Sequence, residues 1–374
     1  MTQVETQPLP LTRGGPLDAL RFMAAFCMVL YHYSFEAPVE LARLHPIWGR
    51  GYLATDFFLI VSGYVLGRIY GDRVAEARIS SLGFFQRRAT RIVPAHLIML
   101  AGLVGFVVLA GRLGFAPAHG AYFDWSQLPA QALLLTSIGV PGGRGWNDPS
   151  WSLSALLVCY ALFPVLWRAF ARIKSPTWAL VTGFAVLAAA DGLSNLILHR
   201  DVFQIPQQIG ALRALPLFIT GAMLARFSQS VAIRPWLARA TGLSALALLI
   251  LVQCLGRYDF LSILLISAMV VGAGATPVKR ASHLLEKGAV IAFSLFITNE
   301  PVRIVLFGVI HLVERKLHAG PGLEWALWAI THLIAVAFAV AFHYGVDMPT
   351  QRRLQRLRRS GGASRAGDLE PMAA

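Results

Sequence analysis

Charge is scarce in this 374-residue chain: Asp, Glu, Lys and Arg make up 14% of it, against about one quarter in ordinary soluble domains. So few charges cannot cover a soluble surface. Acidic residues are the scarcer sign, 19 against 33 Lys and Arg. Cysteine is nearly absent. Cys27, Cys159 and Cys254 each fall inside an apolar run, with no metal or redox spacing, which argues against a disulfide scaffold. No set of His, Cys and carboxylates has ligand spacing, so no metal is expected. A Ser-His-Asp nucleophile pattern is also missing.

What the chain has in excess is apolar length. Hydrophobic residues are 56% of the total and the mean hydropathy is +0.60. Stretches of roughly 18 to 22 residues recur, each long enough to cross the hydrocarbon layer as a helix. The spans fall at 17–35, 51–70, 92–111, 151–168, 177–198, 211–227, 237–256, 259–276, 289–311 and 322–346. A further run, 127–140, is too short to cross and reads as re-entrant or interfacial. The expected fold is therefore all-α and polytopic, with about ten transmembrane helices and both termini on one side.

The net charge of +14 could point to nucleic acid, but its distribution points to a membrane. With the N-terminus inside, Lys and Arg in the inner segments outnumber those in the outer loops by more than two to one. Arg73, Arg78, Arg87, Arg88 and Arg91 lie between the second and third spans, and six more Arg lie after residue 351. The bias places both termini in the cytoplasm, and no nucleic-acid partner is expected. Residues 1–16 read as a retained cytoplasmic segment, because the run that follows carries Arg21 and His32, unlike a signal peptide. Residues 17–350 read as one transmembrane domain, and 351–374 as a basic, disordered cytoplasmic tail.

Charged side chains inside spans are costly and mark function or a partner. The first span carries Asp18, Arg21 and His32. Eleven residues turn a helix by about 1100° and advance it about 16 Å, so Arg21 and His32 share one face, at opposite ends. Asp18 and Arg21 can pair as a helix-end anchor, and His32 reads either as an interfacial histidine or as a general base. Asp56, buried among Phe57, Phe58 and Leu59, needs His32, an Arg or a proton. Ser62 and Gly63 form a small-residue notch for helix approach. Arg87, Arg88 and Arg91 suit phosphates, and equally anionic lipids. Trp151, Ser152 and Ser150 each fit a helix entry at the interface.

Taken together and in order, Arg21 and His32, GYLATDFFLIVSGYVLG, FFQRRATRIVP, SWSLSALLVCYALFP, RALPLFITGAMLAR and SLFITNEPV resemble the membrane acyltransferase-3 family, in blocks spread from about residue 17 to 350. The resemblance implies a ten-helix O-acyltransferase of the inner, cytoplasmic membrane. Such an enzyme takes an acyl group, often acetyl, from acyl-CoA inside. It passes that group to a hydroxyl of a saccharide or lipid-linked glycan at the outer face. His32 would be the catalytic histidine, Arg21 its partner across the span, and Asp56 a support. Arg87, Arg88 and Arg91 would face the donor phosphates, with Ser62, Trp151, Ser152 and Asn299 on the substrate side. Two places depart from the family pattern: Leu156 and Leu157 replace a common Glu pair, and Asn299 replaces a histidine. Asp347 likewise stands for a frequent Glu. The alternative readings are a transporter or exporter using the same intramembrane charges, and a catalytically silent membrane relative.

Overall fold

The computed structural model describes residues 11–114, 120–140, 145–317 and 320–361. Ten long helices follow one another: α1 (Pro16–Ser34), α2 (Leu53–Ala75), α3 (Ser81–Arg112), α4 (Trp151–Phe170), α5 (Pro176–Leu198), α6 (Ala211–Ser230), α7 (Pro235–Leu255), α8 (Asp259–Ala275), α9 (His283–Leu317) and α10 (Pro321–Phe342). A π turn, His343–Asp347, joins α10 to a last helix, α11 (Met348–Gly361). No strand occurs among the described residues. Eight of the ten are long and apolar enough to cross a membrane. Of the other two, α1 carries Asp18, Arg21 and His32, and α8 has 17 residues. The protein is a polytopic helical membrane protein.

Local chemistry sets the helix ends. Proline opens α1, α5, α7 and α10 at the first turn, where its missing N–H is not needed. Ser80 and Ser175 cap α3 and α5 by accepting the N–H of Gly83 and Trp178. Inside the helices, proline instead releases the carbonyl four residues back. Two of these carbonyls dock other segments. Pro94 frees the carbonyl of Thr90, which Gln351 of α11 reaches at 3.1 Å. Pro301 frees the carbonyl of Ile297, which takes the Asn147 amide at 3.2 Å.

The core lies along α2 and α6. Of their apolar stretches 67% and 72% is buried, against 17% for α5 and α7, which therefore form the periphery. Glycine permits the central crossing: a Cβ on Gly63 would stand 2.1 Å from the carbonyl oxygen of Phe218, and one on Gly221 2.0 Å from that of Ile60.

Residues 127–140 do not cross as a helix. One short helix, Leu128–Ala132, gives way to irregular chain that is nonetheless buried at Thr136 and Ser137. Irregular backbone at depth needs protein partners, and it has them. Ser137 meets Ser154 through its hydroxyl at 2.8 Å and its N–H at 3.2 Å, while its carbonyl accepts the N–H of Ala211 at 3.1 Å. Gly139 donates to the carbonyl of Gln208 at 2.7 Å.

The basic tail differs from the sequence expectation. Residues 348–361 are helical, and α11 lies across α3 through Gln351 and through Arg358, which reaches the carbonyl of Gln86. Polarity alone reads as disorder, but here the helix has carbonyls to dock on. The rest of the tail and residues 1–10 lie outside the described residues.

Candidate active site

A cleft of about 650 Å³ opens at the end of the bundle where α1 finishes. Its wall comes from the last turn of α1 (Met28, Tyr31, His32), the α1–α2 connection (Ala42, Pro46, Gly49, Arg50, Tyr52), Thr55 of α2 and Trp151 of α4. The α5–α6 connection adds Arg200 and Phe203 to Gln207, α6 adds Arg213, and Gly256 closes it. Trp151 can lie against the chain because residue 210 is glycine: a Cβ there would come within 2.4 Å of the indole.

His32 is held at the back of this cleft by a residue 267 positions away. Its Nδ1 lies 2.6 Å from Asn299 Oδ1, and Asn299 Nδ2 donates to the carbonyl of Phe296 at 2.5 Å. An amide whose nitrogen already donates must present its oxygen to the imidazole. Nδ1 of His32 therefore carries the proton, and Nε2 is left as the basic nitrogen. Asn299 is fully buried, and its own carbonyl accepts the Tyr33 hydroxyl at 3.1 Å, so the orienting amide cannot drift. Behind it, Arg303 pairs with Glu300 through two bonds of 2.9 and 2.6 Å, and with Glu36. Neither acid reaches the imidazole.

Asp56 takes an Arg as its partner, not His32. Its two oxygens receive Nε and Nη2 of Arg213 at 2.8 Å each, a fork that satisfies a carboxylate with no exposed surface. The α2–α6 crossing brings these residues together across 157 positions of sequence. A second buried pair flanks the first. Arg50 meets Asp259 at 2.5 Å, and the same carboxylate accepts the Tyr52 hydroxyl at 2.7 Å and the Gln204 amide at 3.1 Å.

Arg21 lies near the other end of α1, 3.7 Å from Asp18. Arg88 stacks on Tyr70, with its Cζ 4.5 Å from the ring centre, and its buried Nε has no hydrogen-bond partner among the described residues. Arg91 is committed to protein: Nη1 contacts both oxygens of Asp347 at 2.9 and 3.0 Å, and the guanidinium covers Phe293. Arg87 is half-buried one residue before Arg88. Tyr160 is hydrogen-bonded to Ser62 and feels the charges of Arg88 and Arg21. Ser152 turns its hydroxyl onto the carbonyl of Pro149 at 3.0 Å and is a helix-start residue, whereas Trp151 faces the cleft.

The candidates thus form two groups. His32, Asn299, Trp151 and, through Arg213, Asp56 meet at the cleft. Arg21, Ser62, Arg87, Arg88 and Arg91 gather toward the opposite end. Sequence reasoning passed over Arg50, Arg213 and Asp259 at the cleft. The signal for Arg213 was present, since an Arg inside a span calls for an acid, and an Arg was one of the three partners open to Asp56, with His32 and a proton.

The chain matches the acyltransferase-3 family model, described as an acyltransferase domain, over residues 16–344. It is 30% identical over 189 residues to acyltransferase MdmB of Streptomyces mycarofaciens, covering 48% of this chain and 46% of that protein. It is 26% identical over 179 residues to the putative membrane-bound transacylase BcsY of Komagataeibacter xylinus, 44% of this chain and 40% of that one. It is 25% identical over 185 residues to the peptidoglycan O-acetyltransferase OatA of Listeria monocytogenes, 46% of this chain and 28% of that one. The matched stretches thus span less than half of each of these three relatives. No solved structure matches.

Proposed function

Because this chain belongs to the acyltransferase-3 family, we propose that it transfers an acyl group, acetyl in the first instance, from acyl-CoA to a hydroxyl of a saccharide or glycan-type acceptor. The acceptor sits in the cleft beside His32, and the donor enters from the Arg21 end, which faces the cytoplasm of a cell inner membrane. The observation that carries this reading is the 2.6 Å contact between His32 Nδ1 and Asn299 Oδ1, which leaves a basic Nε2 on a histidine that lines a cleft.

The chemistry follows from those positions. Nε2 of His32 takes the proton of the acceptor hydroxyl as its oxygen bonds to the acyl carbon. The imidazolium then returns that proton to the sulfur as the carbon–sulfur bond breaks. Asn299 keeps the ring in one tautomer through both transfers. Arg213, fixed by Asp56, supplies a positive wall where negative charge develops. At the far end the orphan Nε of Arg88 suits a phosphate of the donor, with Arg87 beside it and Arg21 further along α1. The BcsY and OatA names point to glycan modification, which supports a saccharide acceptor. The excess of Lys and Arg at the Arg21 end supports the orientation.

The test uses inside-out vesicles carrying the wild type or His32→Ala, labelled acetyl-CoA, and a native lysate as the source of acceptors. Label should enter the glycolipid or polysaccharide fraction with the wild type only. Equal labelling by folded His32→Ala removes His32 from the chemistry. No labelling from acetyl-CoA or longer acyl-CoAs removes the acyl-transfer reading.

A further inference from the structure

The cleft presents arginine and no acid. Three guanidinium groups, those of Arg50, Arg200 and Arg213, are among its lining residues, and neither Asp nor Glu is. The counter-charges stand behind the wall. Asp259 holds Arg50 and Asp56 holds Arg213, both carboxylates buried, while Asp148, outside the lining, accepts the amide of the lining residue Gln207 at 3.1 Å.

The way each arginine is bonded matters more than the sum of charges. Arg50 spends Nε on Gln253 and Nη2 on Ser262 and Asp259. Arg213 spends Nε on Asp56 and Nη2 on Asp56 and the carbonyl of Tyr52. In both, Nη1 has no hydrogen bond or ion pair among the described residues. Arg200 goes further: its carbonyl accepts from Ser194, but its exposed side chain has no hydrogen-bond or ion-pair partner among the described residues. Two guanidinium groups are thus immobilised by buried carboxylates with donors to spare, and a third stands free at the same cleft. An arginine fixed in this way loses little freedom on meeting an anion, and its charge-assisted bonds are about twice as strong as neutral ones.

We propose that the acceptor of this enzyme carries an anionic group, a carboxylate or a phosphate, close to the hydroxyl that is acylated, and that Arg200 together with the free Nη1 atoms of Arg50 and Arg213 receives it. The inference rests on the acceptor reading of the cleft and narrows its substrate class from saccharides in general to acidic ones. A neutral sugar would leave the Arg200 charge unanswered in a wall without acids. An acidic sugar satisfies it while Trp151 offers a face for the ring and Gln207 an amide for hydroxyls.

Direct binding tests this without requiring turnover. Full-length protein in nanodiscs is titrated with glucuronic acid, glucose 6-phosphate and glucose, and the tryptophan fluorescence is followed. At least one anionic sugar should bind about tenfold more tightly than glucose, the equivalent of one charge-assisted bond. The better anion identifies carboxylate or phosphate as the group received. Arg200→Gln, an exposed change that leaves both buried pairs intact, should remove most of the preference, and rising salt should do the same in the wild type. Equal affinity for all three sugars, a preference unchanged in Arg200→Gln, or no saturable binding of any of them would overturn the proposal. Anion binding that persists in a protein shown to lack acyl transfer would leave the site standing and dismiss the enzymatic reading.

Discussion

Replacing Asn299 by Leu should slow acyl transfer roughly ten- to hundredfold while leaving the protein folded. The Asn299 side chain has one long-range task, accepting His32 Nδ1–H at 2.6 Å; its bond to the Phe296 carbonyl stays within α9. The tie between α9 and Tyr33 runs through the backbone carbonyl of Asn299 and survives any substitution. Without the acceptor, a buried N–H is left unmet, at roughly 1 to 3 kcal/mol, and the ring escapes by rotating or by moving its proton to Nε2. Each 1.36 kcal/mol is tenfold in rate, so the competent form falls roughly ten- to hundredfold, and kcat falls with it. KM for the acceptor should hardly move, because the cleft wall is unchanged. Asn299→Asp keeps an oxygen at the same place and should restore much of kcat, which a merely structural residue would not show. The assay is labelled acetyl transfer by purified protein in nanodiscs, with thermal unfolding in parallel. If Asn299→Leu turns over at the wild-type rate while His32→Ala is silent, the tautomer argument is wrong.

Three further outcomes follow from the packing and the charges. Arg213→Met strands the Asp56 carboxylate where nothing exposes it, and should destabilise the protein by about 3 to 5 kcal/mol, seen as a lower melting temperature. Asp56→Leu combined with Arg213→Met should recover part of that loss, and an equally unstable double variant would contradict the pairing. Gly221→Ala sets a methyl against the Ile60 carbonyl and should reduce the monodisperse fraction on size exclusion, a loss of about 1 to 3 kcal/mol or more. Gly102→Ala, with nothing within 4 Å, is the control and should behave as wild type. Arg88→Leu should raise KM for acyl-CoA with the fold intact, whereas Arg91→Leu, which removes the paired bonds to Asp347 and leaves that carboxylate with His343, should lower the melting temperature; the reverse pattern would exchange their roles.

Much of the architecture was legible because membranes restrict it. Hydrocarbon thickness sets span length, and the ten apolar spans fall within or close to α1–α10, although α3 begins eleven residues before its span and α9 runs six residues past each end of its own. The shared face of Arg21 and His32 followed from helix geometry alone. Pairings across long separations were not legible. Asp56 announced that it needed His32, an Arg or a proton, and only the glycine crossing of α2 and α6 shows that the partner is Arg213. Asn299 read as a departure from a family pattern, because an amide 267 residues along the chain from His32 shows no purpose until its distance to that histidine is known. The α11 helix escaped for a different reason: composition weighs polarity, not the free carbonyls that a proline in another helix leaves for it.

The α5–α6 connection has a consequence of its own. Residues 203–207 and Arg200 supply a third of the cleft wall, yet the connection holds neither His32 nor its orienting amide. The Ser137 and Gly139 backbone contacts clamp its α6 end, Val202, Phe203 and Ile205 are buried, and Gln204 donates to Asp259, so among its lining residues Arg200 is the exposed side chain with no partner among the described residues. On the reading proposed for the cleft, one acceptor contact, Arg200, thus lies on a different stretch of chain from His32 and Asn299. A lineage, or a protein engineer, could change the exposed Arg200 and with it the acceptor preference without disturbing the group that removes the proton, whereas exchanging Phe203 or Gln204 would disturb the core and the Asp259 bond.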